Sequence, residues 1–464
     1  MSQAIVLTPT RRGARAMADA FVAAASGRAI LPPQMRPLGD LDEGEPPFEP
    51  GDLALDLPAA IEPLTRRFEL TRLVKAHEAQ LGRDLDAAAS LELADALGGF
   101  LDSLQIEEVS PDDGLADLVS ADLAEHWQIS RDFLEMALRA WPQRLAELGV
   151  VDISARRVAL LRRLAERWDA HPPRGVLVAA GSTGTAPATA DLLAVIARAP
   201  QGAVVLPGLD EALAEAAWLE VGEQHPQGAM RRLLARAGLD REAVRQWPAS
   251  TTADVRGLWR RRIVNEALRP PDATADWLSQ IETLREAGQR EGVDPFVEGL
   301  AGLSVVAARH EDEAATVAAL LLREALETPG QTAALVAPDQ TLARRVAAKL
   351  ARWGVIADSS AGLALAGCPG AVLAGLLAKA ALDPLDPIAL LAMVKHPLAC
   401  LGLDPATLAR RRDALERLGL RGPRRTTWTR LKDKIAAAEK STPDEIADAL
   451  ALADLLESVF DGLT

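Results

Sequence analysis

The chain has 464 residues and a formal net charge of −15, with 49% hydrophobic and 25% charged residues. That length exceeds one ordinary domain, and that balance excludes general disorder. The acidity also excludes a whole-surface attraction to nucleic acid, so any such contact must be a local patch or groove.

Cys368 and Cys400 are the two cysteines. They exclude a disulfide framework, a four-cysteine zinc site and a self-contained four-cysteine iron–sulfur cluster. There is no tyrosine, so none can act as catalytic acid, nucleophile or base-stacking platform. Arginines number 44 against seven lysines. With the heavy use of Ala, Gly and Pro, part of that arginine reflects codon bias and not chemistry. Arg11 and Arg12 interrupt the start before any apolar stretch, so no secretory leader is read there and a cytoplasmic protein is expected.

In chain order, Ala4–Leu7 predicts a strand, followed through Thr8-Pro9-Thr10 by a helix over Ala14–Ala24. Pro46, Pro47, Pro50 and Pro58 mark a linker. Ile61 to Arg167 then reads as helices, from the helical spacing of Leu70, Leu73 and Val74 and of Trp127, Phe133, Leu134, Leu138 and Trp141. Pro172-Pro173 returns the chain to strands at Val176–Ala180 and Ala203–Leu206, with a helix over Ala188–Arg198 between them. Arg256–Gly299 is a second helical zone. Strands are predicted at Ser304–Ala307, Ala333–Ala337 and Val355–Ala357, with helices over Glu313–Glu327 and Thr341–Trp353. The uncharged stretch Ser359–Ala378 carries Gly362, Gly367, Pro369 and Gly370. It predicts a turn and a buried helix, not a membrane span. Helices continue from Pro384 to the end.

Short apolar runs alternating with helices indicate parallel α/β units, whose ligands sit at the carboxyl ends of the strands. The resulting division is an α/β part over 1–55, a helical insertion over 56–170, and the rest of the first α/β domain with trailing helices over 171–300. A second α/β domain covers 301–383, and a further helical insertion covers 384–464.

Several chemistries are missing. No Gly-Lys dipeptide occurs, so there is no phosphate loop of the G-x-x-x-x-G-K-[ST] type. Ala180-Gly181-Ser182-Thr183-Gly184-Thr185 follows a strand and reads either as a tight turn with an N-cap or as an anion cradle. His77, His126, His171, His225, His310 and His396 show no metal-ligand spacing. Cys368 lies in apolar sequence and is expected to be buried and inert. Asp210 follows a strand, a ligand-side position, but one carboxylate does not define a reaction. Asp84–Glu125 holds twelve acids and no Lys or Arg, and reads as solvated helix faces. Arg410–Lys434 holds ten basic residues. Arg421, Arg424 and Arg425 flank Gly422-Pro423, which makes either a loop near a phosphate backbone or a solvated basic helix pair.

An ordered set of segments resembles the AddB subunit of the AddAB helicase–nuclease, in its alphaproteobacterial form. It starts with Leu7-Thr8-Pro9-Thr10-Arg11-Arg12-Gly13, then Leu31-Pro32-Pro33 and Arg36-Pro37-Leu38-Gly39-Asp40-Leu41-Asp42-Glu43. Ala179-Ala180-Gly181-Ser182-Thr183-Gly184, Val205-Leu206-Pro207-Gly208-Leu209-Asp210 and Glu223-Gln224-His225-Pro226-Gln227 follow. The set ends with Ala308–Ala314, Ala333–Asp339 and Lys395-His396-Pro397-Leu398.

The resemblance implies two RecA-like, superfamily 1 helicase-type parallel-sheet domains, each with a large helical insertion. It implies a degenerate motor whose channel reads single-stranded DNA, an AddA-like helicase–nuclease partner, and a role in double-strand break repair. Leu7–Arg12 resembles motif Ia, a loop on the DNA backbone, and Leu335–Val355 resembles motif IV. The family's phosphate-loop equivalent would precede Ile5, and its nuclease domain needs a tyrosine and four cysteines. The chain therefore resembles the N-terminal portion of such a subunit, expected to lack ATPase and nuclease activity and to need no cofactor or metal. Expected DNA-binding residues are Thr8, Thr10, Arg11, Arg12, Ser182, Thr183, Arg424 and Arg425. The alternatives are a small-molecule enzyme with a phosphate cradle at Gly181–Thr185, and a protein-interaction scaffold without DNA contact.

Overall fold

The computed structural model describes residues 4–38, 57–110, 125–246, 255–360, 362 and 364–461. Pro46, Pro47 and Pro50 of the linker, the Gly39–Glu43 segment and part of the acidic run lie outside them. The chain divides into two compact units, Met1–Val305 and Val306–Thr464.

The first unit is built on four short parallel strands: β1 (Ile5–Thr8), β2 (Gln34–Pro37), β3 (Leu177–Ala180) and β4 (Gly202–Val205). Their order across the sheet is β2-β1-β3-β4. Val6 pairs with Val178 and Val178 with Ala203, so the runs at Ala4, Val176 and Ala203 share one parallel sheet. β2 was not among the predicted strands. Its sequence Gln-Met-Arg-Pro has no apolar run, and Pro37 is tolerated because β2 is an edge strand.

Helix α1 (Arg11–Ala24) borders β1 and β2 and buries none of its residues. Helices α2 (Pro63–Gln80), α3 (Ala87–Ile106), α4 (Glu125–Leu148) and α5 (Ile153–Ala170) lie between β2 and β3 in the chain. Helix α6 (Pro187–Arg198) joins β3 to β4. The sheet core packs Leu7, Leu177 and Ala179 against Leu161, Leu164 and Trp168 of α5 and Leu192, Leu193 and Ile196 of α6. Each fully buried aliphatic side chain there contributes about 1.5–3 kcal/mol. Where α6 turns into β4, the backbones nearly touch. A Cβ on Gly202 would stand 1.8 Å from the Ile196 carbonyl oxygen, so only glycine fits.

The helical insertion has its own core of Leu70, Val74, Leu97, Leu101 and Trp141. Beside that core is a polar knot. Asp152, only 1% exposed, caps α5 at the Ile153 amide. It also accepts from Trp141 Nε1 at 2.7 Å and Gln105 Nε2 at 3.1 Å, and pairs with Arg66 at 2.8 Å. Arg66 in turn donates two hydrogen bonds to Asp102, which also accepts from Ser154. One network thus ties α2, α3, α4 and α5. The insertion also closes on itself at its base. Ala60 and Val151 form a parallel bridge, with Ile61 N donating to Val151 O and Val151 N to Ala59 O.

Helices α7 (Glu215–Leu219), α8 (Gly228–Ala237), α9 (Val255–Ala267), α10 (Trp277–Glu291) and α11 (Pro295–Leu300) complete this unit. Gly299 lets α11 press on α9, where a Cβ would meet Ile263 at 2.6 Å.

The second unit is helical: α12 (Glu311–Ala325), α13 (Gln340–Ala351), α14 (Pro369–Leu382), α15 (Pro387–Val394), α16 (Pro405–Leu415), α17 (Trp428–Ala436) and α18 (Pro443–Phe460). Three expectations are corrected here. Among the described residues, Ser304–Ala307, Ala333–Ala337 and Val355–Ala357 are not strands. Leu335 and Val355 lean on the α12–α13 core, but Val305, Val336 and Ile356 are 89%, 93% and 97% exposed. Their sequences favour burial, yet an apolar run becomes a strand only beside a neighbour that satisfies its amides and carbonyls. Helix α14 forms but buries only Ala380, leaving Val372, Leu377 and Leu382 exposed. Cys368 before it is half-buried, because the stretch around it is not covered.

Candidate nucleic-acid interface

The carboxyl edge of the sheet gathers the loops after β1, β3 and β4, as the register of Thr8, Ala180 and Val205 requires. Thr8 ends β1, whose last three residues are all buried. It is 2% exposed, and its hydroxyl donates to the Thr10 carbonyl at 3.0 Å. Thr10 is exposed and caps α1, its Oγ1 accepting from the Gly13 amide at 3.1 Å. Arg12 is exposed and Arg11 half-buried on the first turn, each with an intramolecular partner already. Thr10, Arg11 and Arg12 therefore stand together at the edge, whereas the Thr8 hydroxyl faces the fold.

The loop after β3 lies directly alongside. A Cβ on Gly181, whose φ is +83°, would be 3.6 Å from the Pro9 ring. Within the loop the hydroxyls bond locally. Ser182 Oγ accepts from the Gly184 amide, and Thr183 and Thr185 share a hydrogen bond of 3.0 Å. No side chain caps the start of α6. The segment is thus a self-bonded turn that brings Ser182 and Thr183 beside the β1 loop.

After β4 the loop Leu206–Asp210 is held by a polar network. Asp210, 8% exposed, accepts at one oxygen from the Ala212 and Leu213 amides and from Asn265 of α9 at 2.6 Å. Gln227 bridges the loop, accepting from the Asp210 amide at 2.9 Å and donating to the Gly208 carbonyl at 3.0 Å. Buried Arg241 donates to the carbonyls of Asp210 and Leu213 and lies over the Trp218 ring. His225 donates from Nε2 to the Leu268 carbonyl and accepts at Nδ1 from the Gln227 amide, which fixes its neutral tautomer. Asp210 is therefore a structural anchor and not a ligand-facing carboxylate. Gln227, Asn265 and Arg241 were not read as partners from the sequence. The pairing of Asp210 with Gln227 lies in two separate segments of the resemblance, and spacing alone does not connect them.

Next to this network, burial pushes the Glu266 carboxyl up, and the nearby Asp276 and Asp210 add to that against the pull of Arg269. A raised folded pKa means the stabilising contribution is complete below the unfolded pKa and is lost as pH rises through the folded value. Glu266→Gln should therefore melt higher than the wild type at pH 7–8, with the gap closing by about pH 4. Thermal melts of both proteins across that range check this, and a gap independent of pH would contradict it.

Arg424 and Arg425 belong to the second unit, where the basic run is largely neutralised. Arg424 pairs with Asp383, Arg410 and Arg411 with Asp448, and Arg417 with Glu445. Lys395 and Arg421 converge on Glu416 and hold its carboxyl below the usual range. Lys432 pairs with Asp454 and Glu457, and Lys434 donates to the carbonyls of Gly419 and Arg421. Most of the run is thus ion-paired, much of it with acids of α18, while Arg425 is half-buried in the loop before α17, near Lys434.

A cavity of about 640 Å³ in the insertion is lined by Leu101, Leu138, Trp141 and Leu145. Its polar neighbours Gln105, Glu108 and Asp152 are already bonded within the protein. Among the described residues no group of three or more His, Cys, Asp or Glu side chains is arranged to hold a metal ion. Among them, too, no helix is long and apolar enough to cross a membrane. A scan against protein-family models finds no match. A search of curated proteins also finds none.

Proposed function

We propose that this chain is a non-motor, DNA-binding scaffold, the N-terminal part of an AddB-like subunit acting with an AddA-like helicase–nuclease on double-strand breaks. In this reading Met1–Val305 holds the first RecA-like domain, and Val306–Thr464, helical among its described residues, stands where the second would lie. The ligand is single-stranded DNA held by its phosphates along the carboxyl edge of the sheet. One observation carries it: the loops after β1 and β3 stand side by side, with Thr10, Arg11 and Arg12 opening a helix at that edge. A hydroxyl, a helix N-terminus and two guanidinium groups form a phosphate-backbone site.

The test is a fluorescence titration of a labelled oligothymidylate at several salt concentrations. Arg11→Ala/Arg12→Ala should bind more weakly, with a salt slope reduced by about 1 to 2. The weakening should be equal across DNA sequences, because phosphate contacts carry no base code. Equal affinities and slopes for variant and wild type would leave a protein-interaction scaffold as the better reading. That second reading has its own support in Val336 and Ile356 of the second unit, large apolar side chains left 93% and 97% exposed.

A further inference from the structure

We infer that the Leu206–Asp210 loop is a third wall of the same DNA track, and that Gln227 is the residue that positions it. The inference rests on the single-strand reading above and adds an element that carries no cation. The loop leaves β4 at the ligand edge, next to the β3 loop, since Gly181 N donates to Val205 O at 3.0 Å. Gln227, Asn265 and Arg241 reach its Asp210 from three other places in the chain, and Asp210 and Arg241 are more than nine-tenths buried. Buried polar networks are costly unless fully satisfied, and a turn at a strand end needs none. This one fixes a short segment whose outer part, Pro207 and Gly208, is exposed.

Gly208 supplies the second half of the argument. Its φ is +66°, and a Cβ built there would have no atom within 4 Å. Sterics of the fold do not demand a bare backbone at that point, and asparagine also adopts such a φ. An exposed, left-handed glycine on a rigid loop lets a phosphodiester approach the main-chain amides closely, as glycine does where backbone meets ligand. Gln227 holds the Gly208 carbonyl and the Asp210 amide, so it sets the aim of the peptides between them.

Gly208→Asn keeps the backbone conformation and places a side chain in that open space. It should bind labelled oligothymidylate about tenfold more weakly, a loss of about 1.4 kcal/mol. Its salt slope should match the wild type, because no cation is removed. Gly238→Asn is the control, a C-cap of α8 with φ of +66° and equally open surroundings, and should bind as the wild type does. Gln227→Ala should weaken binding several-fold, again with an unchanged slope. In the wild type, hydrogen exchange of residues 206–213 should slow when the oligonucleotide is added, a readout independent of how any variant folds. Gly208→Asn binding at full strength, or unchanged exchange over 206–213 while the Thr10–Arg12 segment is protected, would remove this loop and leave the broader reading intact. No binding by the wild type would overturn both.

Discussion

Asp152→Ala should destabilise the helical insertion by about 3–5 kcal/mol, the range for breaking a buried ion pair from one side. Asp152 is 1% exposed, and its pairing partner Arg66 has a side chain 11% exposed. Removing the carboxylate orphans the Trp141 indole and the Gln105 amide and strips the cap from α5. Asp102 still holds Arg66, so the low end of the range is expected if the guanidinium swings towards it. Denaturant unfolding of wild type and variant gives the difference, and a change below about 1 kcal/mol would show that the knot is dispensable. Asp152→Asn keeps the shape and loses the charge, and should fall between the two.

Gly202→Ala is the second large effect. One methyl group added to a surface position is normally harmless, but here it would lie 1.8 Å from the Ile196 oxygen and 2.9 Å from the Ala199 side chain. Backbone, not a flexible side chain, has to move. The expected loss is about 3 kcal/mol, the upper part of the overpacking range. Thermal denaturation checks it, and an unchanged melting temperature would mean that α6 and β4 separate freely. Because β4 is an edge strand paired only to β3, the damage should concentrate there, with faster hydrogen exchange over 202–205.

The first unit was legible where local signals and tertiary environment agree. Ala4–Leu7, Val176–Ala180 and Ala203–Leu206 are apolar on both faces, the signal of parallel strands, although β1 alone buries most of its run and the edge strand β4 is only half-buried. The insertion announced itself by helical spacing. β2 did not, because an edge strand with Arg36 and Pro37 has no apolar requirement to display. From the unit boundary onward the same apolar signal at Ser304, Ala333 and Val355 gave no strand, since a run of side chains states a preference for burial and says nothing about who provides it.

For the candidate site, Thr10, Arg11 and Arg12 were readable as a loop opening a helix. The burial of Thr8 was not readable, because Val6, Leu7 and Thr8 are all buried and alternation alone does not say that both faces of β1 are covered. The pairing of Asp210 with Gln227 and Asn265 could not be read, because it joins residues from three elements with no periodic relation. For Arg424 the sequence left a phosphate-backbone loop and a solvated basic pair both open, and its acid partner Asp383 lies in a different segment that the basic run does not reveal.

The bridge between Ala60 and Val151 bears on the order in which the first unit is assembled. β1 leaves the ribosome long before β3, its neighbour in the sheet, and the intervening chain must not be left as one slack loop. With its ends stitched at Ala60 and Val151, the insertion closes on contacts of its own. Halving an open loop lowers the closure cost by only about 0.6 kcal/mol, so the stitch is a minor thermodynamic aid. Its larger effect is geometric: α5, anchored to the insertion by Asp152, runs from the stitch towards β3, so that strand is tethered to the insertion core by a helix and not by slack chain.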